Sequence, residues 1–415
     1  MKLFHADAIV TADGPVLRDG AVVVAGDGTV VSVGPAAEVL RGAHGAPVTR
    51  VSGVILPGLV NAHTHLELSA LAGRVRGGSG FLSWVDELLG ARSETGDDEI
   101  ETAIRAAVAS LDAACTSAVG EVTNTLAAVP ALASAGMAGT VFHEVFGVAR
   151  SAALARSDSL LAELAARFPV WPSRDLSYAP SPHTLYTTHP DAVRRLLALA
   201  RARGARPAVH LLEHAAERQA LETGQGPVPA WLARRVPDVE AFLWPETPAL
   251  DYADALGLLA PDTLLVHLTV ATARELERVA ASRASVVFCP RSNMQIERLR
   301  PPLASALAAG LEPALGTDSL ASSPSLDVLE EARALFDAFP DADAATLLRM
   351  ATWTGARALG RSDLGRVTVG ARPGLFAIDL PEAHSADDVA ALVLKERGAP
   401  RRWLVRRTVT GAEAP

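Results

Sequence analysis

The sequence predicts an α/β protein: a (β/α)8 TIM-like barrel with a small composite β-sandwich domain built from both chain ends. Two observations carry this. Eight short apolar segments between residues 53 and 316 alternate with stretches of helical period. Both ends of the 415-residue chain instead alternate apolar and polar residues between glycine turns. A doubly wound open sheet is the main rival. The implied division assigns residues 1–55 and 363–415 to the β-sandwich domain and 56–362 to the barrel.

Taken in order, Ala21–Ala25 and Thr29–Val33 flank Gly26-Asp27-Gly28 and read as a hairpin. The candidate barrel strands are Gly53–Asn61, Thr116–Asn124, Ala138–Phe146, Leu176–His183, Arg206–Leu211, Thr263–Leu268, Ala284–Cys289 and Glu312–Gly316. Between them Glu99–Ala114 and Pro190–Arg203 have the apolar spacing of amphipathic helices. The stretch from Leu211 to Thr263, with Trp231 and Trp244, is expected to be helical and to lie over the barrel mouth. Strand-like pieces return at Leu375–Ile378 and Trp403–Val405, to pair with the first segment.

Composition narrows the function. With 49% hydrophobic and 20% charged residues the chain has ample core and is not disordered. Thirty-eight basic against 47 acidic residues give a net charge of −9, which argues against nucleic acid or an anionic membrane as partner. A small-molecule substrate is expected, and the sequence leaves open whether copies associate as a homo-oligomer. Cys115 and Cys289 form no C-x-x-C pair, no run of 18 apolar residues occurs, and Asp7 and Asp13 interrupt any leader. The expected location is the cytoplasm. Only Lys2 and Lys395 of the 38 basic residues are lysine.

Five titratable residues sit where the barrel model makes position matter. His63 and His65 close the first barrel strand, and residues i and i+2 of an extended chain point the same way. His210, His267 and Asp318 each follow an apolar run and so fall on the C-terminal rim, where barrel enzymes keep their active sites. Any one alone is more often a hydrogen-bonded structural residue. Jointly they offer the imidazoles and carboxylate that hold a single divalent metal with one position open. Glu213, three residues after His210, can reach a water at such a metal without ligating it, as a general acid or base must; the plainer reading is a glutamate opening a helix.

Pro57–His65, His210-x-x-Glu213, His267, Cys289-Pro290-Arg291-Ser292-Asn293 and Gly316-Thr317-Asp318-Ser319 resemble the amidohydrolase superfamily, in its mononuclear deaminase and chlorohydrolase-like branch. Thr354–Gly360 and Gly370–Ile378 resemble that family's helix after the eighth strand and its return into the β domain. The resemblance implies one divalent metal, zinc or iron, held by His63, His65, His210 and Asp318. It implies that Glu213 shuttles the proton, with His267 and Asp318 holding the attacking oxygen. By the same likeness His183, in Pro182–Thr187, contacts a purine or similar ring. The implied activity is hydrolytic deamination of an aminopurine, with chloride or amine displacement from a triazine as the sister reaction. A non-catalytic scaffold on this fold is disfavoured because every expected ligand is present.

Asn61–Ser69 resembles the aminodeoxyfutalosine deaminases of menaquinone synthesis, which implies 6-amino-6-deoxyfutalosine as substrate. Guanine, adenosine-type and S-adenosylhomocysteine deaminases are the alternatives. There Glu67 would hydrogen-bond a ribose or ring group or else serve as a structural carboxylate, and Phe81 and Trp84 in the following loop would stack on the substrate or else pack. Arg74, Arg76, Arg150 and Arg291 are candidates for a substrate carboxylate. Phe288 stands where many relatives have histidine, and no second histidine follows His267; both departures bear on the substrate. The binuclear branch bridges its metals with a carboxylated barrel lysine. Lys2 and Lys395 lie in the expected β domain, and Leu176–His183 offers no carboxylate instead, so one metal is expected.

Overall fold

The computed structural model describes residues 1–42, 47–236, 243–385 and 387–407. Fourteen strands are present among them: β1 (Lys2–Ile9), β2 (Leu17–Val24), β3 (Val30–Pro35), β4 (Val48–Pro57), β5 (Leu59–Thr64), β6 (Thr116–Thr123), β7 (Ala138–Val145), β8 (Leu176–Pro182), β9 (Ala208–Leu211), β10 (Leu264–His267), β11 (Ser285–Phe288), β12 (Ala314–Leu315), β13 (Leu375–Ile378) and β14 (Arg401–Val405).

The two ends of the chain share one six-stranded sheet in the order β14-β13-β4-β1-β2-β3. Strand alternation divides its apolar side chains between two faces. Phe4, Val22, Ile55 and Leu375 pack on one, while Leu3, Ala21 and Val23 meet Ala36 and Val39 of the Ala36–Gly42 helix on the other. The expected hairpin is the antiparallel β2–β3 pair, its turn closed by Asp27 Oδ1 accepting from Thr29 N at 3.0 Å.

The expected first barrel strand, Gly53–Asn61, is two strands. β4 belongs to the terminal sheet through its parallel pairing with β1, and β5 starts the barrel after Gly58. A continuous apolar run hides this break, because both strands are buried. Gly58 marks the crossing: a Cβ there would lie 2.6 Å from Ser117 Cβ and 2.7 Å from the Pro373 carbonyl.

The barrel consists of two parallel four-stranded sheets, β5-β6-β7-β8 and β12-β11-β10-β9. They meet at two seams. At one, Asp318 N donates to the His63 carbonyl at 3.0 Å; at the other, His210 N donates to the His183 carbonyl at 3.0 Å. All eight strands send side chains into one interior cluster, among them Val60, Ala118, Phe142, Ala179, Ala208, Val266, Val287 and Ala314. Alternate residues such as Leu59, Val209, Leu265 and Leu315 face outward into the layer shared with the helices.

The helices form for ordinary reasons. Asp97–Ala113 opens on Asp97, Asp98 and Glu99, which suit a helix N-terminus, and buries Ile100, Ile104, Ala107, Val108 and Leu111 along one face. Pro190–Ala202 starts with proline at its first position and His189 capping Asp191 N. The stretch after Leu211 contains helices Ala215–Thr223, Pro227–Arg235 and Ala249–Ala255. Trp231 donates to Asp86 Oδ1 at 2.7 Å, which ties this segment to the Phe81–Ser93 helix that follows β5. Among the described residues no helix is long and apolar enough to cross a membrane.

Candidate active site

Four of the five rim residues close on one another. The Nε2 atoms of His63 and His65 are 3.1 Å apart, and those of His65 and His210 are 3.3 Å apart. Asp318 Oδ1 lies 3.6 Å from His63 Nε2 and 3.5 Å from His65 Nε2. The other oxygen of Asp318 is held by Ser292 Oγ at 2.6 Å and Ser322 Oγ at 2.8 Å, so Oδ1 is the one aimed at the imidazoles. Gly316 allows this approach: a Cβ there would sit 2.6 Å from that of His63.

His267 reaches the site differently. Leu264 and Val266 point into the barrel, so simple alternation would send His267 outward with Leu265. Left-handed backbone at His267 (φ 78°) and Leu268 (φ 48°) turns it inward instead. Its Nε2 then lies 3.6 Å from Glu213 Oε1, while Nδ1 meets the Asn293 amide at 3.2 Å.

Burial sets the charge states. It pulls the His210 and His183 imidazoles down to about 4 and holds His65 and His267 well below their usual range. Burial alone would raise the Asp318 carboxyl, but a His63 hydrogen bond and the imidazoles of His65, His63 and His267 hold it well below. Glu213 goes the other way. Burial, then the charges of Asp318, Glu217 and Glu297, push it well above the usual carboxylate range. Two carboxyls in one pocket are thus driven apart, one kept ionised and one kept able to carry a proton.

The donor set suits a cation. Imidazole Nε2 atoms this close cannot all donate to one another, and a carboxylate oxygen completes the group. A tetrahedral ion bound at 2.0–2.1 Å sets its nitrogen donors about 3.3 Å apart, close to the two spacings here. Ligand atoms of His63, His65 and Asp318, and of His63, His210 and His267, lie within 4.8 Å of one another.

His183 stands beside this group, its ring centroid 5.2 Å from that of His210 and its Nδ1 tied to Thr187 Oγ1 at 2.6 Å. Glu67 and Trp84, each read as either a substrate contact or a structural residue, make contacts within the chain. The Glu67 carboxylate accepts from the backbone N–H groups of Asn124, Thr125 and Ala127 and from the hydroxyls of Thr123 and Thr125. It clamps the loop after β6. Trp84 is buried among Leu71, Val75 and Ile296, its indole donating to the Ala321 carbonyl. Phe81 stacks on His214 at 4.1 Å. Of the arginines, Arg291 pairs with Glu331, Arg74 with Glu94 and Glu99, and Arg150 with Asp191, while Arg76 is exposed.

Glu144 escaped notice in the sequence. It lies on β7 with Oε1 3.4 Å from His210 Nδ1, and the available signal was a carboxylate inside a fully buried barrel strand. Asn293, Ser292 and Ser322 also act here, as supports for His267 and Asp318.

A model of the amidohydrolase family matches residues 54–400. The chain belongs to the amidohydrolase family. Among its curated relatives, an aminodeoxyfutalosine deaminase of Deinococcus radiodurans is 31% identical over 86% of each chain. A 5-methylthioadenosine/S-adenosylhomocysteine deaminase of Halobacterium salinarum is 31% identical over 98% of this amidohydrolase and 92% of the relative. Among solved structures, Helicobacter pylori aminofutalosine deaminase in complex with methylthio-coformycin superposes with a TM-score of 0.88 at 23% identity, over 99% of this chain and 100% of that one. An adenosine deaminase of Xanthomonas campestris with bound zinc gives 0.75 at 26% identity, over 98% and 90%.

Proposed function

We propose that this amidohydrolase is a metal-dependent hydrolytic deaminase of an aminopurine nucleoside, with 6-amino-6-deoxyfutalosine as its substrate. The observation that carries the reaction type is Glu213. A buried carboxyl biased toward protonation stands 3.6 Å from His267 Nε2, beside three further imidazoles and an ionised aspartate. In this reading His63, His65, His210 and Asp318 hold one divalent ion, zinc in preference to iron. Such an ion supplies Lewis acidity that brings the pKa of a water to about 7.

The residues of the chain do the rest. Glu213 takes the proton of the attacking water and hands it to the ring nitrogen next to the amino-bearing carbon. That protonation makes the carbon electrophilic. His267 and Asp318 hold the attacking oxygen; its remaining proton passes to the amino group as the tetrahedral carbon collapses, so that ammonia leaves and a carbonyl remains. His183 offers its remaining ring nitrogen to the purine. A single ion fits because neither lysine is inside the barrel: Lys2 is in β1, and Lys395 is exposed at the end of a helix packed on the barrel's outer helices.

A relative of each kind, at 31% identity, supports aminodeoxyfutalosine and 5-methylthioadenosine or S-adenosylhomocysteine as rival substrates. Ammonia release from 6-amino-6-deoxyfutalosine, 5′-methylthioadenosine, S-adenosylhomocysteine, adenosine and guanine decides between them. Highest kcat/KM on the first is expected. Turnover of a chlorotriazine and of no aminopurine would overturn the deaminase reading.

A further inference from the structure

Phe146 is an exposed aromatic ring placed by a rigid backbone. Along β7, Phe142 fills the barrel interior and Glu144 reaches His210; Phe146, just past the strand's end at Val145, carries its ring on beside His183 at the rim. Its neighbours are pinned: the Val145 carbonyl accepts from His183 N at 3.0 Å, and Gly147 N donates to the Thr187 carbonyl at 2.7 Å. The ring stands edge-on to His183, with centroids 6.1 Å apart, yet it is 59% exposed. Among the described residues, the other large apolar side chains exposed to this degree are all aliphatic. Phe81, by contrast, is already stacked on His214.

Resting on the deaminase reading above, we infer that Phe146 determines specificity by covering an apolar group carried on the 5′ carbon of the substrate's sugar. The base must go deep to bring its amino-bearing carbon to Glu213 and His267. The sugar and whatever it carries then run outward past His183, and Phe146 is the next surface met. A 5′-hydroxyl would leave the ring wet, whereas a thioether or aryl group removes it from water. Substrates with an apolar 5′ substituent are therefore preferred over adenosine.

The test compares matched pairs of ligands differing only at the 5′ carbon. The kcat/KM ratio of 5′-methylthioadenosine to adenosine, and the Kd ratio of methylthio-coformycin to coformycin by calorimetry, are measured for the unmodified chain, Phe146→Ala and Phe146→Trp. Phe146→Ala should narrow both preferences about tenfold, the scale of one lost apolar contact, mainly through KM. Phe146→Trp should restore them to within about threefold, because it keeps an aromatic face. Loss of affinity by the same factor for both members of a pair, or no change in either ratio, would overturn the inference while leaving the deaminase reading intact. A chain that turns over none of the nucleosides overturns both. Matching thermal unfolding midpoints exclude misfolding.

Discussion

The Asn293 side-chain amide meets His267 Nδ1 at 3.2 Å and leaves Nε2 as the ring nitrogen facing Glu213. A histidine whose backbone is left-handed needs such a partner to hold one orientation. Asn293→Ala should lower kcat by about 10- to 100-fold, in the range of lost supporting partners, with KM little changed. Equal kcat in the variant would show that the bond does not orient the ring.

Glu213→Gln keeps the size of the side chain and removes its proton-carrying carboxyl. Turnover should fall by roughly 10²- to 10⁴-fold, with metal content by elemental analysis the same as in the unmodified chain. Full activity would remove Glu213 from the proton path.

One equivalent of divalent metal per chain is expected on elemental analysis, because the barrel holds no lysine to bridge a second. His210→Ala should lose that equivalent, and chelation should lower the unfolding midpoint of the unmodified chain but not of the variant. A stoichiometry near two would overturn the mononuclear assignment.

Glu67→Ala leaves three backbone N–H groups of the 124–127 loop without their acceptor. Stability measured by urea unfolding should drop by roughly 2–4 kcal/mol, with KM retained where the variant is folded. Unchanged stability with a raised KM would return Glu67 to the substrate.

His143, on β7, is held neutral chiefly by burial and next by the charge of Arg156, which pull its pKa from 6.5 to about 4. The unfolded chain takes up a proton near pH 6.5 that the folded chain refuses, so this contribution is complete above pH 6.5 and drains away as pH falls toward 4. Between pH 7 and 5 it amounts to roughly 2 kcal/mol. Urea midpoints should fall less steeply over that interval for His143→Gln than for the unmodified chain. Parallel slopes would contradict the assignment.

Much of this was legible in the sequence, for physical reasons that also mark where legibility stops. Barrel strands are buried on both sides, so they read as short apolar runs, and β6 to β8 begin where those runs begin. The same property concealed the passage from β4 to β5, since burial does not change across Gly58. His63 and His65 followed from strand period. His267 did not: its inward turn depends on left-handed backbone at two residues that are not glycine, which leaves no local mark. Glu67 and Trp84 sit near the right motif, but which donors a carboxylate finds, or which acceptor an indole finds, is decided by loops distant in sequence.

The two seams of the barrel are fastened by Asp318 bonding to His63 and His210 bonding to His183. The half from β5 to β8 carries His63 and His65; the half from β9 to β12 leads to His210 and Asp318. On the proposed assignment neither half owns a complete ligand set, so a bound cation would rivet one to the other. Splitting the chain between β8 and β9 should therefore yield fragments whose reassociation tightens with metal concentration, and in the intact chain added cation should slow unfolding as well as serve chemistry.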